Sequence, residues 1–226
     1  MIVEVQQQTP EWLQMRCGAV TASRVADVMA RLKNGQEAAA RASYKAELLC
    51  ERLTHMAYEH YVSPSMQWGI DNEPLAKASY EMATGFAVSS GGLALHPKIK
   101  WLMASPDGLV HDDGLVECKC PNTSTHLDYV LAGVVPPEYQ LQMLCQMACA
   151  ERQWCDFVSY DPRLPESLQL FIRRLERDEE RIYKMEVEVE KFISEIEDEI
   201  ILLSKSKMID LDPTLETKLR ESLGDA

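Results

Sequence analysis

The apolar and polar positions of the chain follow helical spacing in some segments and strand alternation in others, in an order typical of a mixed α/β protein. The segments predicted as helices are 11–30 with a break at Gly18, 38–61, 75–82 opened by residues 65–74, and 138–150. The segments predicted as strands are 88–95, 101–104, 154–160 and 167–175. We therefore predict an α/β fold with a mixed central β-sheet flanked by helices.

A long C-terminal helix is predicted to start at Asp178. Its apolar residues step by three and four and the rest of its surface is strongly acidic. Because the stripe covers only about three heptads, we expect it to pack against the sheet, with oligomerisation as the alternative. The stripe comprises Ile182, Met185, Val189, Phe192, Ile196, Ile200 and Leu203.

The last residues carry a second, shorter apolar stripe at Leu215, Leu219 and Leu223, which predicts a small amphipathic helix. We predict that residues 1–204 form a single domain and that residues 205–226 form a C-terminal tail containing this helix.

A β-hairpin is predicted around a turn at residues 112–114. One arm reads Ser-Pro-Asp-Gly over residues 105–108, and the other reads Leu-Val-Glu-Cys-Lys-Cys-Pro over residues 115–121. Side chains alternate across a strand, so Glu117 and Lys119 share one face. We therefore expect Asp107 on the first arm to lie beside Glu117 on the second.

Two adjacent carboxylates repel unless one is protonated or a cation lies between them. The predicted metal ligands are Asp107, Glu117 and the backbone carbonyl of Cys118, an oxygen set preferred by Mg²⁺, with Mn²⁺ as an alternative. Lys119 would orient an attacking water or help to deprotonate it. The pattern indicates phosphodiester hydrolysis, whereas the alternative is an ordinary turn followed by an exposed strand face.

The length of 226 residues fits one domain, or one domain with an appended element, and we expect the protein to be cytosolic. No window approaches the roughly 20 apolar residues of a membrane span, and the N-terminus lacks a signal pattern. The seven cysteines are an odd number without a C-x-x-C pair, so we expect reduced core thiols. Cys145 and Cys149, four residues apart on a helix, leave half a metal site as the alternative.

The net charge of −13 argues against a simple basic-surface nucleic-acid binder. Nearly half of the excess lies in residues 173–226, which hold 10 Lys and Arg against 16 Asp and Glu. Residues 1–60 hold 7 of each sign. A locally basic groove on an acidic body therefore remains compatible with the composition.

Three polar residues outside the hairpin are candidate site residues with plain alternatives. Arg16 and Ser23 flank the break at Gly18, where a helix N-terminus would bind a phosphate, or else Ser23 only caps the helix and Arg16 is solvated. Glu73 lies near a Gly-marked bend and would reach the metal as a third carboxylate, or else it caps a helix.

Taken together, these motifs resemble the phage lambda-type 5′→3′ exonuclease family, also called YqaJ-like viral recombinase nucleases, within the PD-(D/E)xK superfamily. The resemblance covers most of residues 10–204. Its matching pieces are V-T-A-S at 20–23, W-G-x-x-x-E at 68–73, S-P-D-G at 105–108, L-V-E-C-K-C-P at 115–121, T-S at 123–124, the Gln-rich helix after Glu138, and Y-D-P-R at 160–163.

The resemblance implies a restriction-endonuclease-like core in which Asp107, Glu117 and the Cys118 carbonyl bind metal and Lys119 is the catalytic lysine. It places Glu73 and Gln142 at or near the catalytic site. The residues that it assigns to the 5′-terminal phosphate are Arg16, Ser23 and Ser105. The chain departs from the pattern at Thr125, where the family has an arginine, and a protonated His126 is the candidate substitute.

The resemblance further implies a Mg²⁺-dependent, processive exonuclease that degrades the 5′-ended strand of linear duplex DNA to mononucleotides and leaves 3′ overhangs for recombination. It implies a ring-shaped homotrimer on DNA ends, a single-strand-annealing recombinase as partner, and a phage or prophage protein in the host cytosol. A restriction-type or repair-type endonuclease and a non-catalytic acidic scaffold are the alternatives.

Overall fold

The structure is a computed structural model that describes residues 1–58 and 61–207. The helices are α1 Pro10–Arg16, α2 Val25–Met29, α3 Ala39–Thr54, α4 Pro64–Thr84, α5 Thr123–Ala132, α6 Pro137–Ala150 and α7 Glu179–Lys207. The strands are β1 Ile2–Val3, β2 Val20–Thr21, β3 Val88–Ser90, β4 Leu93–Leu95, β5 Leu102–Ala104, β6 Gly108–Val110, β7 Gly114–Lys119, β8 Trp154–Tyr160 and β9 Leu170–Glu176. The predicted tail helix at Leu215, Leu219 and Leu223 lies outside the described residues.

The strands form two mixed sheets instead of one central sheet. The four-stranded sheet has the order β1-β4-β5-β2 and the five-stranded sheet the order β3-β6-β7-β8-β9. Within them, β2 pairs with β5 and β7 pairs with β8 in parallel, and the other pairs are antiparallel. The predicted α/β fold with flanking helices and a long C-terminal helix is confirmed.

The five-stranded sheet is covered on both faces. On one face, Val116 and Cys118 of β7 pack with Ala76 and Tyr80 of α4. On the other face, Leu115 packs in the main core together with residues of α6 and α7. Each buried large apolar side chain contributes about 1.5–3 kcal/mol to folding. Strand β7 is therefore held in a fixed place between two helical layers.

The apolar stripe of α7 is buried within this chain from Ile182 to Ile200. It packs against α2, α3 and α6, so the prediction that it packs on the sheet is wrong. The helix is also tied to α3 by the buried side chain of Arg41, which donates to both carboxylate oxygens of Glu195 at 2.8 and 2.9 Å. Helices α2, α3 and α6 therefore make the most extensive contacts with α7.

Two predicted helix boundaries differ from the structure. Helix α4 continues through Gly69 and Pro74, so Glu73 lies in its middle and is not a capping residue. In the segment after Gly18, Val20 and Thr21 form β2 instead, and α2 starts only at Val25. No side chain caps the short 3₁₀ turn Ala22–Arg24 or α2, so the capping alternative for Ser23 is also wrong.

The strand predicted over residues 88–95 is divided at two glycines. A Cβ atom on Gly91 would lie 1.8 Å from the carbonyl oxygen of Pro106, and one on Gly92 would lie 2.5 Å from that of Val3. Both glycines therefore allow a close approach of two backbones. The break sends β3 and β4 into different sheets.

Among the described residues, we find no helix with the length and apolar composition needed to cross a membrane.

Candidate active site

The predicted hairpin is present as β6 and β7, with Gly108 opposite Val116. Asp107 directly precedes β6 and its Oδ2 accepts the backbone N–H of Cys118 at 2.6 Å. Its Oδ1 has no hydrogen-bond donor among the described residues. The sheet register therefore places Asp107 next to Glu117, because consecutive residues of paired strands remain opposite each other.

Glu117 is the most heavily hydrogen-bonded carboxylate of the hairpin and is 1% exposed. Its Oε1 accepts from Lys119 Nζ and from Gln142 Nε2, both at 2.5 Å. Its Oε2 accepts from Gln146 Nε2 at 2.5 Å. The structure thus brings together three of the predicted site residues, and it adds Gln146.

The sequence carried a signal for Gln146 that was not used. Gln142 and Gln146 are four residues apart on α6 and so lie on one face of the helix. Spacing alone does not tell which face of α6 meets β7, because that depends on packing between segments distant in the sequence. The amide of Gln146 is completely buried.

Glu73 reaches the same site from the middle of α4 and lines a cavity together with Asp107 and Lys119. Its Oε1 accepts from Lys77 Nζ at 2.6 Å, one helical turn further on. Burial acts to lower the pKa of Lys77, but the hydrogen bond and the charges of Glu73 and Asp107 raise it overall. Lys77 is a second cation at the site that sequence reasoning did not identify.

The pKa values of Asp107 and Lys119 are both raised at the site. Burial, followed by the charges of Glu117 and Glu73, raises the pKa of Asp107 well above its usual value. Burial acts to lower the pKa of Lys119, but Glu117 and Asp107 outweigh it and raise that pKa. Lys119 is therefore a cation in the protein without metal, suited to donating hydrogen bonds and not to accepting a proton.

The carboxylate oxygens at the site are suitable ligands for a hard divalent cation. Asp107 keeps one oxygen without a donor, and Oε2 of Glu117 accepts only one hydrogen bond from the described residues, so both carboxylates retain acceptor capacity. Within the described ranges, no three His, Cys, Asp or Glu side chains form a metal cluster. A cation here would therefore need backbone or water oxygens as well, which is how Mg²⁺ is usually held.

Three cavities follow one another along α4. The Arg16 cavity, of about 480 Å³, includes Met66. The Lys119 cavity, of about 420 Å³, includes Met66, Ile70 and Glu73. A groove of about 830 Å³ includes Ile70, Glu73 and Lys77, and it is also lined by Gln6, Gln7 and Gln8. The Lys119 cavity, which Glu73 lines, therefore lies between the Arg16 cavity and the groove along α4.

The Arg16 cavity contains a cation that forms no ion pair with a carboxylate among the described residues. The guanidinium of Arg16 stacks on the ring of Trp12 at 3.8 Å, and burial lowers its pKa to about 10. Ser23 lines the same cavity. The alternative that Arg16 is simply solvated is therefore wrong.

The acidic residues of the Arg16 cavity are bound by other donors. Glu47 accepts from Arg24 Nη1 at 3.2 Å. Glu51 accepts the backbone N–H groups of Gly18 and Tyr58, each at 2.7 Å. Gly18 has φ +77°, which favours glycine. Glu51 thereby fixes the turn that follows Arg16.

Ser105 and His126 differ in their placement. The Oγ of Ser105 accepts from Trp12 Nε1 at 2.9 Å, which joins the strand end before Asp107 to a wall of the Arg16 cavity. His126 is completely buried. Its Nε2 donates to the carbonyl of Leu168 and its Nδ1 bonds to Ser159 Oγ, each at 2.8 Å. The structure therefore does not bring His126 to the cavities.

The Y-D-P-R segment supports the loop that follows Lys119. Asp161 accepts from Arg163 Nε at 2.7 Å and from Thr123 Oγ1 at 2.6 Å. Arg163 also donates to the carbonyl of Pro121 at 3.1 Å and lies over the ring of Trp68 at 4.4 Å. This network connects the end of β7, the start of α5 and α4.

Replacing Gly91 with alanine is expected to reduce activity by about 10²-fold, since misplacing a catalytic group by about 1 Å has an effect of this size. The new Cβ would displace the carbonyl of Pro106, which is next to Asp107. Digestion rates and urea unfolding measure the effect. Unfolding of G91A at the same urea concentration as the wild type would assign the loss of activity to the site and not to the fold. Wild-type activity in G91A would contradict the prediction.

Comparisons with known proteins were made for both sequence and structure. The YqaJ-like viral recombinase domain matches residues 11–153. Among curated proteins, no match was found. Two crystal structures of LHK-Exo, one of them of the alkaline exonuclease from Laribacter hongkongensis and one in complex with dAMP, are 50% identical to this chain, with TM-scores of 0.81 and 0.82. Each match covers 88% of this chain and 97% of that chain.

A phage-related exonuclease from Haemophilus somnus 129PT is 16% identical, with a TM-score of 0.61, and the match covers 80% of this chain and 96% of that chain. At this identity the likeness shows the fold alone. The domain match spans well over half of the chain, and the resemblance inferred from the motifs is confirmed. The chain belongs to the family of YqaJ-like viral recombinase domain proteins.

Proposed function

We propose that the chain is a Mg²⁺-dependent, processive 5′→3′ exonuclease that degrades the 5′-ended strand of linear double-stranded DNA to mononucleotides and leaves 3′ single strands for annealing recombination. Family membership and the 50% identity to LHK-Exo, an alkaline exonuclease, support DNA exonuclease activity. The observation that carries the proposal is that Asp107 and Lys119 line one cavity, where Lys119 Nζ donates to the buried Glu117, next to a second cavity holding Arg16.

In this proposal, Asp107, Glu117 and the carbonyl of Cys118 hold the cation. A bound Mg²⁺ would supply Lewis-acid stabilisation of the charge that develops on the phosphodiester. Lys119, held as a cation by Glu117, donates hydrogen bonds to the attacking water or to the scissile phosphate. Gln142 shares Oε1 of Glu117 with Lys119, which fixes the position of the ammonium group.

We attribute the proposed strand polarity to the Arg16 cavity. Arg16, Ser23 and Ser105 would receive the 5′-terminal phosphate, because a partly buried guanidinium without a carboxylate partner favours an anion. Met66 lies between this cavity and the Lys119 cavity. A 5′ end bound at Arg16 therefore places a nearby phosphodiester at the carboxylates.

Replacing Arg16 with alanine is expected to slow digestion of 5′-phosphorylated ends about 10-fold to 100-fold, since a charge-assisted hydrogen bond contributes about 1.5–3 kcal/mol. Digestion of 5′-hydroxyl ends should change little. Arg31→Ala is the matched control, because Arg31 pairs with Glu188 outside the cavity. Equal slowing of both kinds of end in R16A would exclude the pocket.

Processivity is attributed to a ring-shaped homotrimer, which keeps a threaded duplex from diffusing away although the chain has a net charge of −13. A single-strand-annealing recombinase is the proposed protein partner, and the host cytosol the proposed location. Residues 1–204 would form the nuclease domain, and residues 205–226 would be available for contacts.

The test of the proposed function is digestion of end-labelled linear duplex DNA with Mg²⁺, with Mn²⁺ and with a chelator. We expect labelled mononucleotides from the 5′ end only when a metal is present, and we expect closed circular duplex to survive. Nicking of closed circles would instead establish an endonuclease, and release from the 3′ end would contradict the polarity.

A further inference from the structure

Two glutamines of α6 hold the carboxylate of Glu117 from different sides. Gln142 Nε2 donates to Oε1 and Gln146 Nε2 donates to Oε2, both at 2.5 Å. Lys119 Nζ also donates to Oε1. Oε1 therefore accepts two hydrogen bonds from partly exposed side chains, one of them Lys119 of the cavity, whereas Oε2 accepts one from the buried Gln146.

The orientation of the Gln146 amide is determined by its neighbours. An ionised carboxylate only accepts hydrogen bonds, so the NH₂ group must face Glu117. The amide oxygen then faces Cys155 Sγ of β8, at 4.0 Å. Strand β8 pairs in parallel with β7, with Cys155 opposite Leu115. Gln146 is thus fixed between the helix and the sheet that carries Glu117.

The two glutamines differ in their access to substrate. Gln146 is completely buried, whereas Gln142 is partly exposed. A group without access to the cavity cannot touch DNA or the attacking water. Any effect of Gln146 on the reaction must therefore pass through Glu117.

Resting on the proposed function, we propose that Gln146 is a positioning residue for metal binding. Its amide fixes the plane of the Glu117 carboxylate and satisfies one acceptor position of Oε2, which leaves the rest of that oxygen for the cation. Without this donor, the carboxylate would rotate about its last bond and spend part of its time in orientations unsuited to the metal. Outer partners of metal ligands typically change metal affinity or activity by 10-fold to 100-fold.

The test compares Gln146→Met, which keeps the length of the side chain and removes the donor, with Gln140→Met. Gln140 is on the same helix and donates to the carbonyl of Val135 at 2.9 Å, away from Glu117. Isothermal titration calorimetry with Mn²⁺ measures the affinity well below the unfolding temperature. We expect the Kd to rise about 10-fold to 100-fold in Q146M and to stay at the wild-type value in Q140M.

A purely structural role of Gln146 would lower the unfolding temperature in a chelator without changing the Mn²⁺ Kd of the folded protein, and this outcome would overturn the proposal. If Q146M does not fold, Gln146→Asn keeps a polar amide but shortens its reach, and the same rise in Kd is expected. An unchanged Kd in Q146N would likewise overturn the proposal.

The same measurements separate this inference from the proposed function. Normal hydrolysis by the wild type together with an unchanged Mn²⁺ Kd in Q146M would remove the positioning role alone. Conversely, the wild type could bind Mn²⁺ more tightly than Q146M and yet not digest DNA. That result would support the positioning role and remove the proposed function.

Discussion

Replacing Lys119 with alanine is expected to lower the rate of linear-duplex digestion by about 10²–10³-fold, the usual effect of losing one aligned donor to a developing charge. Lys119 is the cation closest to Glu117, and no other described residue donates to that carboxylate from a charged group. The rate at saturating Mg²⁺ is the measurement. An active K119A protein would remove Lys119 from the proposed mechanism.

The fold should survive this change, because Gln142 and Gln146 still donate to Glu117. Lys184→Ala is the matched control, since Lys184 is an exposed lysine of α7 paired only with the surface residue Glu180. Both variants should unfold at similar urea concentrations, and only K119A should lose activity. Loss of folding in K119A would show that the lysine is needed for structure.

Replacing Asp107 with asparagine is expected to abolish measurable digestion, by about 10³-fold or more, and yet to stabilise the protein in a chelator. Burial and the charges of Glu117 and Glu73 raise the pKa of Asp107. A carboxyl whose pKa is raised by folding adds stability at low pH and loses it as the pH rises through the folded pKa. Between the unfolded and the folded pKa of Asp107, stability therefore falls as the pH rises, by about 1.4 kcal/mol for each unit of pKa rise.

The asparagine oxygen can still accept the N–H of Cys118, so the hairpin keeps this contact. Urea unfolding at pH 8 in a chelator should show D107N to be more stable than the wild type by at least about 1 kcal/mol. Added Mn²⁺ should stabilise only the wild type. Asp112→Asn, in the exposed turn of the same hairpin, is the control. If D107N were less stable than the wild type, burial and the charges of Glu117 and Glu73 would not be destabilising the ionised form of Asp107.

The hairpin was predictable from sequence because its geometry is local. Strand alternation places Glu117 and Lys119 on one face, and the short turn fixes which residues of the two arms face each other. The structure reproduces both features, with Gly108 opposite Val116 and with Lys119 bonded to Glu117.

The features that sequence reasoning missed depend on packing between distant segments. His126 is enclosed by Ser159 and by the carbonyl of Leu168, and neither contact is visible in the local pattern. Lys77 lies on a helix whose continuation through Pro74 was not predicted. A proline inside a helical pattern usually indicates a boundary, and here the surrounding contacts of α4 override that preference.

A continuous α-helix carries both Met66, which lines the Arg16 cavity, and the carboxylate of Glu73, which lines the Lys119 cavity. Seven residues of helix correspond to about 10 Å. Since Met66 and Glu73 belong to one continuous helix, the distance between them cannot change unless the helix kinks before Pro74. In the proposed enzyme, α4 would therefore hold a wall of the Arg16 cavity and a wall of the Lys119 cavity at one separation, independently of the base sequence of the DNA.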